Sequence, residues 1–311
     1  MRLLVTGNLG FIGTNLTFHL LKLGYDVVGV DKISYCSNKK ALMLMEKFRN
    51  FRFVRGDITN KNLMLKLVKD SDVVLHLAAE SHVDNSIVNP LPFLRNNVLG
   101  MFSVLEGVRK NKRLLIHFSS DEVYGEILRG EVDENSNFNA GNPYSATKVF
   151  EEALVNSYVN TFGVKAVVLR PCNVFGYWQF PEKFIPKIIT NALTGKKIPV
   201  YGNGLQIREW LFIDDLCSFV GLLLSRGVES GVFNVGSGVR KRNIDVVKKI
   251  LKLLSKNFSL IDFVDDRLGH DRRYAIGSSK ARKFGWKPRF SFDDGLRRTV
   301  SWYSKNLKLF K

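Results

Sequence analysis

Short apolar runs recur along the first 170 residues, separated by helix-length segments of mixed polarity. Six of these runs are predicted to be strands: Arg2–Thr6, Asp26–Val30, Phe51–Arg55, Val73–Ala78, Leu114–Ser119 and Val164–Arg170. Several are apolar at nearly every position, as strands covered on both faces of a parallel sheet must be. The intervening helical segments include Thr14–Leu23, Leu91–Lys110 and Pro143–Thr161. This alternation predicts an α/β fold with a Rossmann-type, doubly wound parallel sheet.

The pattern becomes irregular beyond residue 175. Pro181, Pro186, Pro199 and the turn at 202–204 divide this part into short elements, and Asn243–Lys256 then has the spacing of an amphipathic helix. We therefore predict two closely associated domains. The first covers residues 1–175, and the chain is expected to return to it around 205–237. The second, smaller C-terminal domain covers residues 176–311.

Composition narrows the class of protein. The chain has 311 residues, 24 % of them charged and 45 % hydrophobic, which is typical of a globular protein and excludes disorder and collagen. No apolar run approaches the ~20 residues of a membrane span. The segment Met1–Gly7 lacks the apolar core of a signal peptide, so a cytoplasmic location is expected. Cys36, Cys172 and Cys217 have no metal-site spacing, so we predict no metal.

The net charge is +18, and it is concentrated near the carboxyl terminus. Residues 241–311 contain 19 basic and seven acidic side chains. Nucleic acid, an anionic membrane or an anionic small substrate could each account for this excess, and so could a solvated basic surface.

Three glycines follow the first predicted strand. Gly7 would allow a tight turn, Gly10 a close approach of the backbone to a pyrophosphate, and Gly13 close packing of the following helix. Three glycines in seven residues can also form an ordinary loop. The next strand, however, leads to Asp31, where a carboxylate can bind the adenosine ribose hydroxyls and would repel a 2′-phosphate. The order of these features predicts a dinucleotide site that favours NAD over NADP.

Two further motifs indicate acid–base chemistry. Tyr144 and Lys148 are four residues apart on one face of a predicted helix that Asn142 caps, and the lysine would lower the tyrosine pKa. This spacing also arises by chance. Asp121 and Glu122 follow the fifth predicted strand, at the edge where open α/β sheets bind ligands. Adjacent carboxylates divide into one acid and one base, although a solvated acidic loop is the alternative.

These motifs resemble those of the dTDP-glucose 4,6-dehydratase family, within the extended short-chain dehydrogenase/reductase superfamily. The glycine turn and the run at 143–148 are shared across the superfamily. The runs at 76–84, 119–125, 179–186, 199–202 and 269–276 are similar to the dehydratase family itself. The most specific features are the pair Asp121-Glu122 and the runs at 179–183 and 270–274. The resemblance extends from residue 3 beyond 288. It implies that residues 1–175 bind NAD, that residues 176–311 bind a nucleotide sugar, and that the chain is a cytoplasmic homodimer.

The resemblance also implies a hydro-lyase reaction on dTDP-glucose. Tyr144 would take the proton of the sugar 4-hydroxyl as hydride passes to NAD, with Lys148 holding the nicotinamide ribose and Ser120 polarising the oxygen. Glu122 would remove the proton on carbon 5, and protonated Asp121 would donate to the departing 6-hydroxyl. Hydride would then return to carbon 6, giving the 4-keto-6-deoxy sugar, so NAD would stay bound.

Binding residues carry over by position. The cofactor would contact Gly7, Gly10, Phe11, Ile12, Gly13, Asp31, Lys32, Ser34, Asp57, Ile58, Leu77, Ala78, Ala79, Ser81, Asn96, Tyr144 and Lys148. The substrate would contact Ser81, Ser120, Asp121, Glu122, Asn173, Lys183, Phe184, Pro199, Tyr201, Arg208, Asn234, Arg267, His270 and Tyr274. Arg208 and Arg267 are the expected diphosphate partners, because a forked guanidinium suits phosphate oxygens.

The chain departs from the family pattern at two positions. Ser120 stands where the family usually has threonine, which keeps the hydroxyl and loses a methyl group. Val174 follows Asn173 where the family usually has a second asparagine. A backbone contact to the cofactor would survive the second change, whereas a side-chain contact would be lost.

Three alternatives stay open at this stage. A nucleotide-sugar 4-epimerase shares the fold, NAD and the Tyr-Lys pair, although it has no need of Asp121 and Glu122. A dehydratase could also act on another nucleotide-hexose such as UDP-glucose. A non-catalytic NAD-binding protein could use the basic carboxyl-terminal part on nucleic acid, but no nucleic-acid motif accompanies the charge. We therefore predict neither a nucleic-acid nor a membrane partner.

Overall fold

The structure is a computed structural model that describes residues 1–310. Its strands over these residues are β1 (Arg2–Thr6), β2 (Asp26–Asp31), β3 (Phe51–Arg55), β4 (Val73–His76), β5 (Leu114–Phe118), β6 (Ala166–Pro171), β7 (Asn173–Phe175), β8 (Ile198–Tyr201), β9 (Ile207–Phe212), β10 (Gly231–Val235), β11 (Arg240–Arg242) and β12 (Ile261–Val264). Its α-helices are α1 (Phe11–Lys22), α2 (Lys39–Met45), α3 (Lys61–Lys69), α4 (Val83–Val88), α5 (Leu91–Phe93), α6 (Gly100–Asn111), α7 (Pro143–Phe162), α8 (Phe184–Thr194), α9 (Ile213–Ser225), α10 (Asn243–Leu253), α11 (Ser279–Lys283) and α12 (Phe292–Asn306).

Seven strands form one parallel sheet in the order β10-β6-β5-β4-β1-β2-β3. The strand order reverses between β1 and β4, and this reversal creates a crevice at the carboxyl edge where ligands bind in open α/β sheets. The Rossmann-type fold class is thereby confirmed. Two small sheets, β11-β9-β7 and β12-β8, stand beside the large one.

Side-chain alternation along the strands builds a core on each face of the large sheet. In β1, Leu3 and Val5 pack into one apolar cluster and Leu4 into the other. Helices α1 and α9 cover the first face, while α3, α6 and α7 cover the second. Strands buried on both faces need continuous apolar sequence, which explains why these runs predicted the sheet.

The fourth strand is shorter than the predicted Val73–Ala78. It ends at His76 because the next two backbone N–H groups, of Leu77 and Ala78, donate to the Thr6 hydroxyl at 3.1 and 3.2 Å. These two residues therefore leave the hydrogen-bond ladder and turn over the carboxyl edge, where they line a cavity.

The predicted cap of α7 is confirmed. Asn142 accepts a hydrogen bond from the Ser145 N–H at 2.9 Å, the Ser145 hydroxyl returns to the Asn142 backbone, and Pro143 opens the helix. The predicted helix Leu91–Lys110 also forms, but a π-helical turn at Leu94–Leu99 joins α5 to α6. No helix within residues 1–310 combines the length and apolar character that crossing a membrane requires.

After residue 176 the chain builds α8, β8 and β9 away from the large sheet and then comes back to it. Helix α9 packs on α1, and β10 pairs with β6 at the edge of the sheet. Strand β10, at 231–235, falls within the predicted return of the chain. Residues before this return, such as Tyr201, and after it, such as His270, line one cavity together with Ser81, which follows β4.

Candidate functional site

Three cavities follow one another along the carboxyl edge of the large sheet. The first cavity, of about 620 Å³, lies over β1–β4. The central cavity, of about 830 Å³, shares Gly7, Gly10 and Leu77 with it. The third cavity, of about 990 Å³, lies towards the carboxyl-terminal part and shares Ser81 and Lys183 with the central one. The shared residues make the three cavities one continuous cleft.

The residues predicted to bind the cofactor all line the first two cavities. Those at the first cavity are Gly7, Gly10, Asp31, Lys32, Ser34, Asp57, Ile58, Leu77, Ala78, Ala79 and Asn96. Those at the central cavity are Phe11, Ile12, Gly13, Ser81, Tyr144 and Lys148, together with Gly7, Gly10, Leu77 and Ala79. The cleft therefore places these predicted positions along one continuous surface.

The three glycines answer different requirements. Gly7 has a φ of +67°, and a Cβ there would lie 2.7 Å from the Ala78 Cα. A Cβ on Gly13 would lie 2.2 Å from the Gly7 carbonyl oxygen, so the start of α1 packs directly on the turn. A Cβ on Gly10 would contact, among residues 1–310, the Gly7 oxygen alone, at 3.3 Å. Since packing does not demand glycine at position 10, its open face towards both cavities fits a closely approaching phosphate.

Asp31 ends β2 and faces the first cavity, as predicted. Its carboxylate accepts hydrogen bonds from the N–H groups of Leu9 and Ile33, at 3.2 and 2.8 Å, and from the Ser37 hydroxyl at 3.0 Å. Burial raises the pKa of Asp31, while these hydrogen bonds act in the opposite direction. The bonds fix the carboxylate at the cavity wall and use three of its roughly four lone pairs, so it can still accept a ribose hydroxyl.

Glu80 organises the far wall of the first cavity, and the sequence analysis missed it. Its carboxylate accepts from Lys32 at 2.9 Å and from Asn96 at 2.7 Å. The π-helical turn holds Asn96 and Asn97 together, and Asn97 bonds both the N–H and the carbonyl of Glu80. The residue stands inside the run at 76–84 that carried the resemblance, but its partners are too distant in sequence to identify its role.

Tyr144 and Lys148 both reach the wall of the central cavity from α7. Burial raises the pKa of Tyr144, and the negative charges of Glu122 and Glu151 add to this effect, whereas a hydrogen bond with Ser120 opposes it. The prediction that Lys148 lowers this pKa is therefore wrong for the protein alone. The main reason is that Tyr144 is buried beside the negative charges of Glu122 and Glu151. In addition, the Lys148 ammonium donates to the Phe118 carbonyl at 3.0 Å and to Glu151 at 2.7 Å, so a neighbouring anion offsets its charge.

Asp121 and Glu122 occupy different environments although they are adjacent. Asp121 is 3 % exposed, and burial, together with the charges of Glu122 and Glu209, raises its pKa well above the usual range. Its Oδ1 accepts a hydrogen bond from Ser120 at 3.3 Å, while its Oδ2 finds no partner within residues 1–310. Glu122 lines the third cavity, where Asn142 donates to it at 3.3 Å. The pair thus divides into a buried acid and a cavity-facing carboxylate.

Most of the residues predicted to bind the substrate line the third cavity. They are Ser81, Glu122, Asn173, Lys183, Phe184, Pro199, Tyr201, Arg208, Arg267, His270 and Tyr274. Arg208 lies 4.4 Å from the centre of the Tyr274 ring and donates to the Asp271 carbonyl at 2.8 Å. Such support keeps a guanidinium directed into the cavity.

Arg267 and Tyr201 share one carboxylate. Asp84, on α4, accepts from the Arg267 guanidinium at 3.1 Å and from the Tyr201 hydroxyl at 3.0 Å. Partial burial raises the pKa of Asp84, but the hydrogen bond and the charge of Arg267 outweigh this effect, and the pKa is lowered. Beside them His270 contacts Asp266 at 2.5 Å. The third cavity is therefore lined by two arginines, held by side chains from distant parts of the chain.

The structure contradicts one predicted substrate contact. Asn234 is completely buried in β10 and lines none of the three cavities formed by residues 1–310. Its side chain accepts from the Tyr124 hydroxyl at 2.8 Å and donates to the carbonyls of Val132 and Gly277. These bonds use its hydrogen-bonding capacity to tie three segments together, so the residue is structural.

Two other predicted substrate contacts, Ser120 and Asp121, lie behind the cavity wall. Ser120 and Asp121 are 9 and 3 % exposed and line none of the three cavities formed by residues 1–310; the Ser120 hydroxyl donates to Asp121 at 3.3 Å and accepts from the Glu122 N–H at 3.2 Å. The Val174 side chain packs in the larger apolar cluster. Its carbonyl accepts from Gln179 at 3.2 Å, so the valine keeps a backbone role next to the central cavity.

Comparison with known proteins identifies the family. Residues 4–299 match the model of the GDP-mannose 4,6 dehydratase family. The chain belongs to this family. It is 42 % identical to the low-salt glycan biosynthesis protein Agl12 of Haloferax volcanii, over 97 % of this chain and 98 % of that one. It is 41 % identical to a dTDP-glucose 4,6-dehydratase of Mycobacterium tuberculosis, over 98 and 94 % of the two chains.

A solved structure places this family member among sugar-nucleotide dehydratases. The dTDP-glucose 4,6-dehydratase of Streptomyces venezuelae, crystallised with NAD, superposes with a TM-score of 0.97 at 36 % identity, over 100 % of this chain and 99 % of that one. The sequence-based resemblance to dTDP-glucose 4,6-dehydratases is thereby confirmed.

Proposed function

We propose that the protein is a dTDP-glucose 4,6-dehydratase, an NAD-dependent hydro-lyase that converts dTDP-glucose into dTDP-4-keto-6-deoxy-glucose and water. The observation that carries the proposal is the division of Asp121 and Glu122 into a buried acid and a cavity-facing carboxylate. An elimination of water needs one group to remove a proton and another to supply one. The relatives at 41 and 36 % identity support the choice of reaction.

NAD fits the first and central cavities. The open face of Gly10 suits the pyrophosphate, and Asp31 suits the adenosine ribose. A dinucleotide held by these residues would supply a reversible hydride acceptor for the sugar, and none of it would be consumed. The remaining steps belong to the side chains of this chain.

We assign the proton transfers as follows. Tyr144, polarised through Ser120 and held near Lys148, takes the proton of the 4-hydroxyl when carbon 4 is oxidised. The resulting ketone acidifies the proton on carbon 5, and Glu122 removes it. Asp121, kept protonated by its burial, gives its proton to the departing 6-hydroxyl, which leaves as water. Hydride would then return to carbon 6 while Glu122 gives its proton back to carbon 5, and Tyr144 holds the 4-keto oxygen by a hydrogen bond throughout.

The third cavity would hold the nucleotide end of the substrate. Arg208 and Arg267 face it and can bind the diphosphate with forked hydrogen bonds. Lys183, at the junction of the central and third cavities, adds a positive charge near the sugar.

Product analysis tests the proposal. The purified protein is incubated with dTDP-glucose without added NAD, and the product is detected by the absorbance of its 4-keto group in alkali. We expect this product from the wild type, and a decrease in kcat of about 10²–10⁴ in Asp121→Asn and in Glu122→Gln. A 4-epimer as the sole product would instead show an epimerase. Equal turnover of UDP-glucose would show that the nucleotide base is not selected.

We also propose a homodimer, formed through the helices at 91–111 and 143–162. Both carry exposed apolar side chains, including Leu91 at 68 %, Leu94 at 51 % and Phe150 at 46 %. A monomer in light scattering at micromolar concentration would contradict this. A cytoplasmic location is part of the proposal, since Cys36, Cys172 and Cys217 are all free thiols.

A further inference from the structure

Helix α7 carries two adjacent buried carboxylates that hold cations of different kinds. Glu152 pairs with the Arg170 guanidinium at 2.6 Å, and both side chains are about 5 % exposed. Glu151 is fully buried, and its Oε2 accepts from the Lys148 ammonium at 2.7 Å. The first pair joins α7 to β6. In the second pair Lys148 is itself part of the central cavity wall.

Other titratable groups surround Glu151 on its buried side. The His117 Nε2, on β5, lies 3.3 Å from Glu151 Oε2, and the rings of His117 and His76 stack at 5.7 Å. Thr6 accepts from two backbone N–H groups, so its hydroxyl donates to the His76 Nδ1 at 2.8 Å. Burial and the charge of His117 lower the pKa of His76 to about 3, so this ring is neutral.

On the side of the cleft, the charged groups that face this pair act through Tyr144. The charges of Glu122, Glu151 and Asp121 all act on Tyr144, and Lys148 donates to Glu151. Among these neighbours, Lys148 approaches Glu151 most closely, at 2.7 Å. A buried ammonium without a partner is costly, so removal of this carboxylate would disfavour the charged form of Lys148.

We propose that Glu151 is a positioning residue for the reaction: its carboxylate keeps the buried Lys148 ammonium charged and fixed at the wall of the central cavity. Glu151 also cancels part of the lysine charge that Tyr144 experiences. The catalytic consequence rests on the proposed function, whereas the ion pair itself can be tested without it.

Thermal unfolding between about pH 8 and about pH 10 tests the pair, with Glu152→Gln as a matched control. In Glu151→Gln the folded protein releases the Lys148 proton more readily than the unfolded chain does. The unfolded state then binds more protons, so the stability of this variant rises with pH relative to the wild type. Its Tm deficit should shrink towards pH 10. The deficit of Glu152→Gln should stay constant, because arginine remains charged throughout. A constant deficit in both variants would overturn the proposal.

A double-mutant cycle covers the case in which Glu151→Gln folds poorly. Lys148→Met leaves Glu151 without its cation, and the double variant Lys148→Met/Glu151→Gln removes both charges. We expect the double variant to be more stable than either single variant, since neither charge is then buried alone. Losses that simply add would show that the two side chains are not coupled.

Kinetics with dTDP-glucose then separate positioning from packing. Glu151→Gln should lower kcat at least tenfold, leave KM within twofold, and shift the pH–rate profile to lower pH. Glu151→Asp keeps the charge and should retain the wild-type profile. Equal losses in both variants with an unmoved profile would indicate a merely structural role. If the wild type does not act on dTDP-glucose, the proposed function fails, and the unfolding measurements still decide the role of Glu151.

Discussion

The cofactor side and the substrate side of the cleft are built in different ways. The first and central cavities are lined in large part by residues at or just after the carboxyl ends of strands β1–β4, such as Gly7 and Asp31. The third cavity is lined by side chains from α4, β8, β9 and the segment at 267–274. Its cations are held by partners far away in sequence, as Arg267 is by Asp84, 183 residues away. One side therefore depends on backbone geometry, and the other on pairs of side chains.

The difference teaches where each side is vulnerable. A glycine turn fails where a new Cβ would meet backbone atoms, as at Gly7 and Gly13, because backbone atoms cannot move aside cheaply. A wall of paired side chains tolerates small changes in packing, but it loses ligand affinity when a charge is removed. Substitutions on the two sides should accordingly separate stability from substrate binding.

The largest effect is expected at the glycine turn. Gly13→Ala brings a Cβ within 2.2 Å of a backbone oxygen and should cost about 3 kcal/mol of unfolding free energy, with loss of bound NAD. Gly10→Ala is the control, since its nearest neighbour would lie at 3.3 Å. It should cost less than about 1 kcal/mol and still weaken NAD retention. Denaturant titration and the NAD content after dialysis measure both. Equal stability losses would contradict the distinction.

The next effect concerns the third cavity. Arg208→Gln removes a guanidinium held over Tyr274 and should raise KM for dTDP-glucose about 10- to 100-fold. Because the Asp271 carbonyl loses its donor, it should also cost about 1–2 kcal/mol of unfolding free energy. Lys241→Gln is the control, because Lys241 pairs with Arg208 across β9 and β11 and is exposed outside the cleft. Steady-state kinetics at two salt concentrations measure the difference. A similar KM for both variants would remove Arg208 from diphosphate binding.

A smaller effect is expected at Asn234, which is buried in β10 and lines none of the three cavities. Asn234→Ala leaves the Tyr124 hydroxyl and the carbonyls of Val132 and Gly277 without their partner. It should cost about 1–2 kcal/mol of unfolding free energy and leave KM unchanged within twofold. A large rise in KM with intact stability would return Asn234 to the substrate site.

The smallest effect on stability is expected at Asp121, which is buried beside Glu122. Its pKa in the folded protein is raised by burial and by the charges of Glu122 and Glu209, so stability is lost as pH rises through that pKa. Asp121→Asn escapes this loss, and its Tm should exceed that of the wild type by a margin that grows with pH. Asp262→Asn, exposed on β12, is the control. A margin that does not change with pH would contradict the buried-acid assignment.

The sequence predicted the cofactor side well because its signals are local. Gly7, Gly13 and Asp31 stand at the ends of strands that their own apolar pattern reveals. The helix-length segment Leu91–Lys110 predicted a helix, but the π-helical turn within it has no local signature. That turn depends on Asn97 bonding Glu80 and Thr147, and such contacts exist only after folding.

The substrate side was predicted through the resemblance rather than from local pattern, and its errors follow from that. The resemblance located Arg267 and Tyr201 but could not indicate Asp84 as their common partner. It assigned Asn234 to the substrate, whereas β10 buries the residue in the large sheet. Likewise, the charge of Lys148 suggested a lower pKa for Tyr144, whereas burial of the tyrosine, together with the charges of Glu122 and Glu151, raises it.

The late position of β10 has a consequence for synthesis of the chain. Strand β6 ends at residue 171, but the strand that covers its edge begins at residue 231. At ~5–20 residues per second, translation leaves this edge open for about 3–12 s. An unpaired parallel edge is a template for aggregation, so the nascent chain depends on protection during this interval. A fragment ending at residue 175 would keep the edge exposed permanently, and its solubility reports directly on how much β10 contributes.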